Sequence, residues 1–236
     1  MSKVIAIIPA RWASTRLPGK PLADINGKPM IQWVYESVKK SKVDKVLVAT
    51  DDERVFNTVN DFGGNVVMTS YKHLTGTDRV LEAYQAYKSQ YEYVINVQGD
   101  EPMINPDDVN SIIHQLKKDS SSIATLLGSL TEQQKSDRNT VKAYMDYERV
   151  AMFTRSPLYG NPTFFKRHIG IYGFSRFITE KINKNVMIET TNEIVENLEQ
   201  LRWADNGITF TYGLVSGMYK GIDAQKDLDY YRSFLN

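Results

Sequence analysis

An α/β fold, with a mostly parallel central sheet flanked by helices and a β-rich lobe in the second half, is what this sequence predicts. Short apolar runs rich in Val and Ile recur at Val4–Ile8, Lys45–Ala49, Asn65–Met68, Tyr93–Val97 and Ile123–Leu127. Helical patterns fill the gaps, at about 29–41, 52–62, 78–90 and 106–118. Near-continuous apolar strands alternating with helices are buried on both faces, as parallel sheets are. Turn chemistry marks the joints: Asn26-Gly27, Gly63-Gly64, and Asn105-Pro106 opening a helix with Asp107 and Asp108 in its first turn.

The rhythm changes after about residue 139. Val141–Asp146, Val150–Thr154, Arg167–Phe174 and Ile208–Val215 read as strands, with aromatics at Tyr144, Tyr147, Phe153, Tyr159, Phe164, Phe165, Tyr172 and Phe174. A helix is expected from about Glu193 to Asn206, ended by Gly207, and a last one from about Ala224 to Leu235. No repeat, low-complexity stretch or Pro/Gly/Ser linker divides the chain. The expected layout is a single domain over 1–236, with a first half to about 138 and a second from about 139.

Composition narrows the function. With 236 residues and 42% hydrophobic content the chain can bury one large core. Lys and Arg number 29 against 28 Asp and Glu, a net charge of +1. No global field draws nucleic acid or an anionic membrane, so neither is an expected partner and anion binding must be local. The absence of cysteine excludes disulfides, thiolate nucleophiles and Cys-ligated zinc. The apolar run Val4–Ile8 is too short for a signal peptide or a membrane span, so a soluble cytoplasmic protein is expected.

The first strand opens into Ile-Pro-Ala-Arg-Trp-Ala-Ser-Thr-Arg-Leu-Pro-Gly-Lys, residues 8–20. Ligands of open parallel sheets bind beyond the carboxyl ends of the strands, where this loop must lie. Arg11, Arg16 and Lys20 crowd into it, and a polyphosphate would relieve their mutual repulsion. The alternative is a solvated basic loop paired elsewhere. The loop matches neither the dinucleotide glycine fingerprint nor a Walker loop, which argues against NAD and P-loop chemistry. Gln98-Gly99-Asp100-Glu101-Pro102 follows a buried strand in the same way. Asp100 is the best-placed ligand for Mg²⁺, which usually takes one or two protein carboxylates and fills its other positions with phosphate and water; a turn-capping role is the plain alternative.

Ile8-Pro9-Ala10-Arg11 with Ser14-Thr15-Arg16-Leu17-Pro18-Gly19-Lys20-Pro21-Leu22 resembles the signature of the CMP-Kdo synthetases, the 3-deoxy-manno-octulosonate cytidylyltransferases. The likeness continues in order through Ile25–Ile31, Val48–Asp52, Met68-Thr69, Thr75-Gly76-Thr77-Asp78-Arg79 and Val97–Ile104. Beyond these, Val141-Lys142, Thr154-Arg155-Ser156-Pro157, His168–Tyr172 and Leu198-Glu199-Gln200-Leu201-Arg202 also fit.

The resemblance implies a Rossmann-like nucleotidyltransferase fold, with a nucleotide-binding first half and a second half for sugar binding and dimer contact. It implies transfer of CMP from CTP to the anomeric hydroxyl of an acidic 2-keto sugar, Kdo or an amino-substituted Kdo, for lipopolysaccharide or capsule synthesis. Asp100 and Asp223 would hold Mg²⁺, and Lys20 and Arg16 would join them in catalysis. Ala10, Arg11, Ser14, Lys20, Thr75, Gly76 and Arg79 would bind the nucleotide, with Arg79 donating to the base. Arg16, Gln98, Arg155, His168, Tyr172, Glu199 and Gln200 would bind the sugar acid. No residue is assigned as a dedicated base.

Plainer readings stand beside these. Asp223 sits where a helix N-cap belongs, Thr75–Asp78 reads as a helix start, His168 as an ordinary strand histidine, and Glu199 and Gln200 as a solvated face. Two stretches depart from the family: Asp223-Ala224-Gln225-Lys226-Asp227 lacks the usual Thr-Pro, and Asn197 stands where Ser is usual. Both lie on the sugar side, so the acceptor stays open to another small acid such as a phosphonate. A CTP-binding homologue without turnover is the other class, opposed by intact Arg11, Lys20, Asp100 and Asp223.

Overall fold

The structure, a computed structural model, describes residues 2–14, 16–158, 164–184, 189–215, 217 and 221–234. Thr15, Tyr159 and Leu235, which the sequence reading uses, lie outside them. The chain forms two compact units, Met1–Asn110 with Tyr219–Asn236, and Ser111–Met218.

The first unit opens with β1 (Val4–Ala10), whose Val4–Ile8 are at most 2% exposed. A short 3₁₀ turn, Lys20–Leu22, leads to the hairpin of β2 (Asp24–Ile25) and β3 (Lys28–Pro29). Asn26 and Gly27 both take positive φ, 52° and 84°, which a two-residue hairpin turn demands. There follow α1 (Met30–Lys39), β4 (Lys45–Thr50), α2 (Glu53–Asp61), β5 (Val66–Met68), α3 (Gly76–Gln85), β6 (Tyr93–Asn96) and the start of α4 (Pro106–Lys118), which from Ser111 on belongs to the second unit. The strands order as β5-β4-β1-β6, every pair parallel. Burying each Ile or Val of β1 stabilises the fold by about 1.5–3 kcal/mol before entropy is charged.

The second unit holds β7 (Ile123–Gly128), α5 (Glu132–Ser136), β8 (Lys142–Asp146), β9 (Arg149–Thr154), β10 (Phe165–Ser175), α6 (Arg176–Lys184), α7 (Thr191–Glu196), α8 (Glu199–Asp205) and β11 (Phe210–Val215). Here β7 pairs parallel with β11 and antiparallel with β10, while β8 and β9 form an antiparallel hairpin. The aromatics supply its core: Phe153, Tyr172, Phe174, Trp203 and Phe210 are nearly sealed and meet ring to ring.

Two expectations need correction. The helix expected over Glu193–Asn206 is two helices, because Asn197 takes a left-handed φ of 52° and ends α7. A fork from Arg202 to Glu193, 2.7 and 2.5 Å, ties the pair across that break. Helix α6 was not expected at all; its polar face masks an apolar stripe of which Ile178 is buried.

The last helix, α9 (Gln225–Phe234), belongs to the first unit. Ile222, Leu228 and Tyr231 pack with Ile25 and Met30, and Leu17, Ala23 and Trp33 flank them. That apolar anchor delivers Asp223 to the carboxyl end of the parallel strands.

Candidate active site

In the first unit, the loop leaving β1 is held by its own aromatic. The guanidinium of Arg54 stacks 3.4 Å from the Trp12 ring centroid, and the Trp12 N–H donates to Asp51 Oδ1 at 3.2 Å. Gly19 turns the chain at φ 66°, and a Cβ there would meet the Trp12 ring at 2.8 Å. Trp12 is therefore packing, and the glycine is required twice over. Ser14 Oγ accepts from the Leu17 N–H at 3.4 Å, closing the loop toward Lys20.

Lys20 is the hub. Its ammonium donates to Asp100 Oδ2 at 2.5 Å, to the Ile222 carbonyl at 2.8 Å and to Asp223 Oδ1 at 3.3 Å. Arg16 reaches the same Asp223 oxygen at 3.1 Å. Two of the three crowded cations are thus neutralised by carboxylates rather than left repelling, and Arg11 stands exposed. The aspartates meet because the Ile222 N–H donates to the Asp100 carbonyl at 2.9 Å. Asp223 lies two residues before α9 begins at Gln225; Asp227 Oδ2 accepts from the N–H groups of Asp223 and Ala224 at 3.2 and 3.0 Å, while Asp223 Oδ1 faces the two cations.

The other wall is built by β4 and α3. Thr75 caps α3, its Oγ1 accepting from the Asp78 N–H at 3.1 Å, so the helix-start reading is correct as local structure. Arg79 is 2% exposed; Nη1 donates to Thr69 Oγ1 and Nη2 to Asp51 Oδ2, both at 2.6 Å. Those two nitrogens are engaged with protein, and Asp51 links the arginine to the loop through Trp12. Gly99 lies so near β1 that a Cβ would sit 2.8 Å from the Pro9 carbonyl oxygen. Gln98 Nε2 is 3.5 Å from Asn96 Oδ1. Around a cavity of about 400 Å³ this unit gathers Ala10, Arg11, Ser14, Arg16, Lys20, Thr75, Gly76, Arg79, Gln98, Asp100 and Asp223, together with His73 and Leu74.

The remaining predicted residues lie in the second unit. His168 sits between Phe153 and Tyr172, with ring centroids at 4.9 and 5.5 Å. Loss of water around the ring, helped by the charge of Arg155, pushes its pKa down to about 3. Thr125 Oγ1 donates to the Ile171 carbonyl at 2.9 Å, so His168 Nε2, 3.0 Å away, must be the donor to that hydroxyl. Nδ1 is then an acceptor, suited to a sugar hydroxyl rather than a carboxylate. Burial, with the Glu199 charge adding, raises Tyr172 well above the usual tyrosine range and keeps its hydroxyl protonated. Gln200 is 3% exposed rather than solvated, and its Nε2 has no hydrogen-bond partner among the described residues. Arg155 donates from Nη1 to the carbonyls of Arg138 and Asn139 at 3.2 and 3.3 Å, while its buried Nε donates to nothing among the described residues.

Sequence reasoning missed Asp51 and Glu196. Asp51 stands just past a parallel strand, the signal that singled out Asp100. Glu196 lies at the end of α7 after the exposed Ile194 and Val195, where nothing local separates it from a solvated face.

Comparison with known proteins agrees with this geometry. A family model described as cytidylyltransferase matches residues 5–216. The 3-deoxy-manno-octulosonate cytidylyltransferase of Parabacteroides distasonis is 42% identical, with 100% of this chain and 99% of the relative covered. That of Escherichia coli is 38% identical, covering 100% and 97%. A solved CMP:2-keto-3-deoxy-manno-octonic acid synthetase complexed with CTP superposes with a TM-score of 0.93 at 37% identity, covering 99% and 98%. The inositol-1-phosphate CTP transferase of T. maritima, 15% identical with a TM-score of 0.71 over 98% and 94%, shares the fold alone. The chain is a nucleotidyltransferase and belongs to the cytidylyltransferase family, among the 3-deoxy-manno-octulosonate cytidylyltransferases.

Proposed function

We propose that this enzyme transfers CMP from CTP to the anomeric hydroxyl of Kdo or a close relative, releasing pyrophosphate, in a pathway to lipopolysaccharide or capsule. The observation that carries the reading is one cationic nitrogen, Lys20 Nζ, shared by Asp100 and Asp223 beside Arg16 in a cavity of about 400 Å³. The relatives named for this reaction support it.

The donor set fits Mg²⁺. Both carboxylates already reach a single cation, the ammonium, and hard oxygen donors suit a hard ion. Mg²⁺ ordinarily takes one or two protein carboxylates and completes its shell with phosphate and water. Asp100 and Asp223 would hold it, and when bound it would polarise the α-phosphate and lower the pKa of the attacking hydroxyl.

In the reaction the anomeric oxygen of the acid attacks the α-phosphorus. The new O–P bond forms as the bond to the β-phosphate oxygen breaks, pyrophosphate departs with the electron pair, and the hydroxyl proton passes to solvent. Lys20, Arg16 and Arg11 offset negative charge on the phosphates. Ala10, Ser14, Thr75 and Gly76 contact the nucleotide, with Arg79 fixed behind them. Arg155 takes the carboxylate of the acid through its buried Nε, Gln200 donates its free amide, and Tyr172 and His168 meet hydroxyls. The family resemblance also assigns Gln98 and Glu199 to the acid.

The homodimer and the cytoplasm belong to the same proposal. Tyr147, Phe164 and Leu214 of the second unit are 93%, 56% and 61% exposed and offer apolar surface for a second copy. None of the described helices is long and apolar enough to cross a membrane. Pyrophosphate release from CTP and Mg²⁺ across Kdo, amino-substituted Kdo, other 2-keto acids and phosphonates tests the reading. Release with Kdo supports it, release only with another acid moves the acceptor, and tight CTP binding without release favours a non-catalytic homologue.

A further inference from the structure

We propose that Glu196 and Lys142 are positioning residues for the acceptor, gripping the peptide of Arg155 from its two sides so that the guanidinium is aimed before the acid arrives. The proposal rests on the reading that Arg155 takes the carboxylate of the acid.

The grip is complete at the backbone. Glu196 Oε2 accepts from the Arg155 N–H at 2.6 Å. Its other oxygen, Oε1, accepts from the hydroxyls of Thr154 and Ser156 at 2.9 and 3.3 Å, so one carboxylate spans three consecutive residues. On the opposite side, Lys142 Nζ donates to the Arg155 carbonyl at 3.0 Å and to the Asp137 carbonyl at 2.7 Å. Lys142 is 0% exposed. A lysine buried this deeply is costly, and the two carbonyls account for its polar contacts in that setting.

The segment thus held is Thr154-Arg155-Ser156, just past the end of β9. An arginine side chain on an untethered strand end samples many rotamers, and ordering it at the moment of binding weakens affinity. Here the peptide is fixed on both sides, and Nη1 is tied to two loop carbonyls. Nε remains as a buried donor for an incoming oxygen.

Glu196 also lies at the left-handed break that separates α7 from α8, next to Asn197. Two residues beyond it Leu198 stands at the N-cap of α8, and four beyond it α8 carries Gln200; both are buried. One helix junction therefore sets Arg155 through Glu196 and presents Glu199 and Gln200 directly. A fault at Glu196 should be felt in the affinity for the acid and not in the affinity for CTP.

The test is steady-state pyrophosphate release by the full chain with Kdo, CTP and Mg²⁺, for Glu196→Ala, Glu196→Gln, Lys142→Met, Arg155→Ala and the double variant Arg155→Ala/Glu196→Ala. Misplacing a binding group by a fraction of its reach predicts that Glu196→Ala and Lys142→Met raise the KM for Kdo about tenfold. The KM for CTP should stay within about twofold, since uniform loss of one substrate's binding moves only that constant. Glu196→Gln keeps an acceptor for the Arg155 N–H and should raise the Kdo KM only about threefold. The double variant should be no worse than Arg155→Ala alone, because Glu196 acts through Arg155. Should Glu196→Ala or Lys142→Met not fold, Glu196→Gln decides alone. An unchanged Kdo KM in the folded variants, or an equal rise for CTP, overturns the proposal while Arg155→Ala still raises the Kdo KM. If Arg155→Ala itself leaves that KM unchanged, the underlying reading of Arg155 has failed instead.

Discussion

The ammonium of Lys20 lies 2.5 Å from Asp100 Oδ2, and it shares that position with the Asp223 carboxylate 3.3 Å away. Two residues separated by more than a hundred positions meet on one cation because Ile222 pairs its backbone with Asp100 and α9 is anchored on an apolar cluster.

That arrangement predicts how the two carboxylates respond to substitution. Asp100→Ala and Asp223→Ala should each lower pyrophosphate release on the order of a hundredfold while the protein stays folded. Circular dichroism and a thermal melt beside the assay check both halves. Lys20→Met removes the cation the two carboxylates share, leaving Asp100 without its ammonium partner and Asp223 with Arg16 alone. Free Mg²⁺ should then raise the melting temperature of the variant more than that of the unaltered chain. Equal shifts would show that the aspartates do not share a cation.

The buried pair of Arg79 and Asp51 predicts a stability effect beside the loss of nucleotide binding. Their side chains are 3% and 13% exposed, and Asp51 also holds the Trp12 N–H. Arg79→Met strands the carboxylate and should cost about 3–5 kcal/mol in urea unfolding. The double variant Arg79→Met/Asp51→Leu should recover part of that loss, because no charge is then left without a partner.

How much of this was legible in the residues differs between the units. The parallel strands of the first unit announced themselves as apolar runs closed by turns, and β1, β4, β5 and β6 fall where those runs lie. The cationic loop and Asp100 followed from their place at the strand ends. Asp51 meets the same criterion, but its neighbour Asp52 is the cap of α2, accepting from the Arg54 N–H at 2.9 Å, and local sequence does not divide the two roles between adjacent aspartates. The break at Asn197 does leave a mark, since Asn tolerates the left-handed region and ends helices, but the apolar periodicity that runs past it outweighs that single residue. Lys142 and Glu196 act through backbone contacts with residues distant in the chain, which periodicity does not encode.

Gly99 predicts a steric limit. Its φ is not in the left-handed region, so the obstacle to Gly99→Ala is the Pro9 carbonyl oxygen 2.8 Å from the new Cβ, while Ile8 Cγ2 and Ile31 Cδ1 at 3.4 and 3.6 Å are ordinary contacts. Relief requires β1 and the Asp100 turn to move apart, and overpacking of this kind costs about 1–3 kcal/mol. A lower midpoint in urea together with a weaker affinity for CTP would meet the expectation. An unchanged midpoint would contradict it.

His168 predicts a pH dependence. Its folded pKa of about 3 lies below the ordinary value of 6.5, so between these the unfolded chain binds more protons. The sign follows: this contribution to stability is fully present above pH 6.5 and is lost as pH falls toward 3. His168→Gln should flatten the acid limb of the stability curve. In the unaltered chain, the proton signals of the His168 ring should stay those of a neutral imidazole at pH 5, unlike a solvated histidine titrating near 6.5.

The most direct test of the central claim is a crystal structure of the chain with CTP and Mg²⁺. The account predicts one ion bound by the carboxylates of both Asp100 and Asp223, with Lys20 and Arg11 turned onto the phosphates. Electron density showing Lys20 still on the two aspartates, and the triphosphate bound away from them, would contradict it.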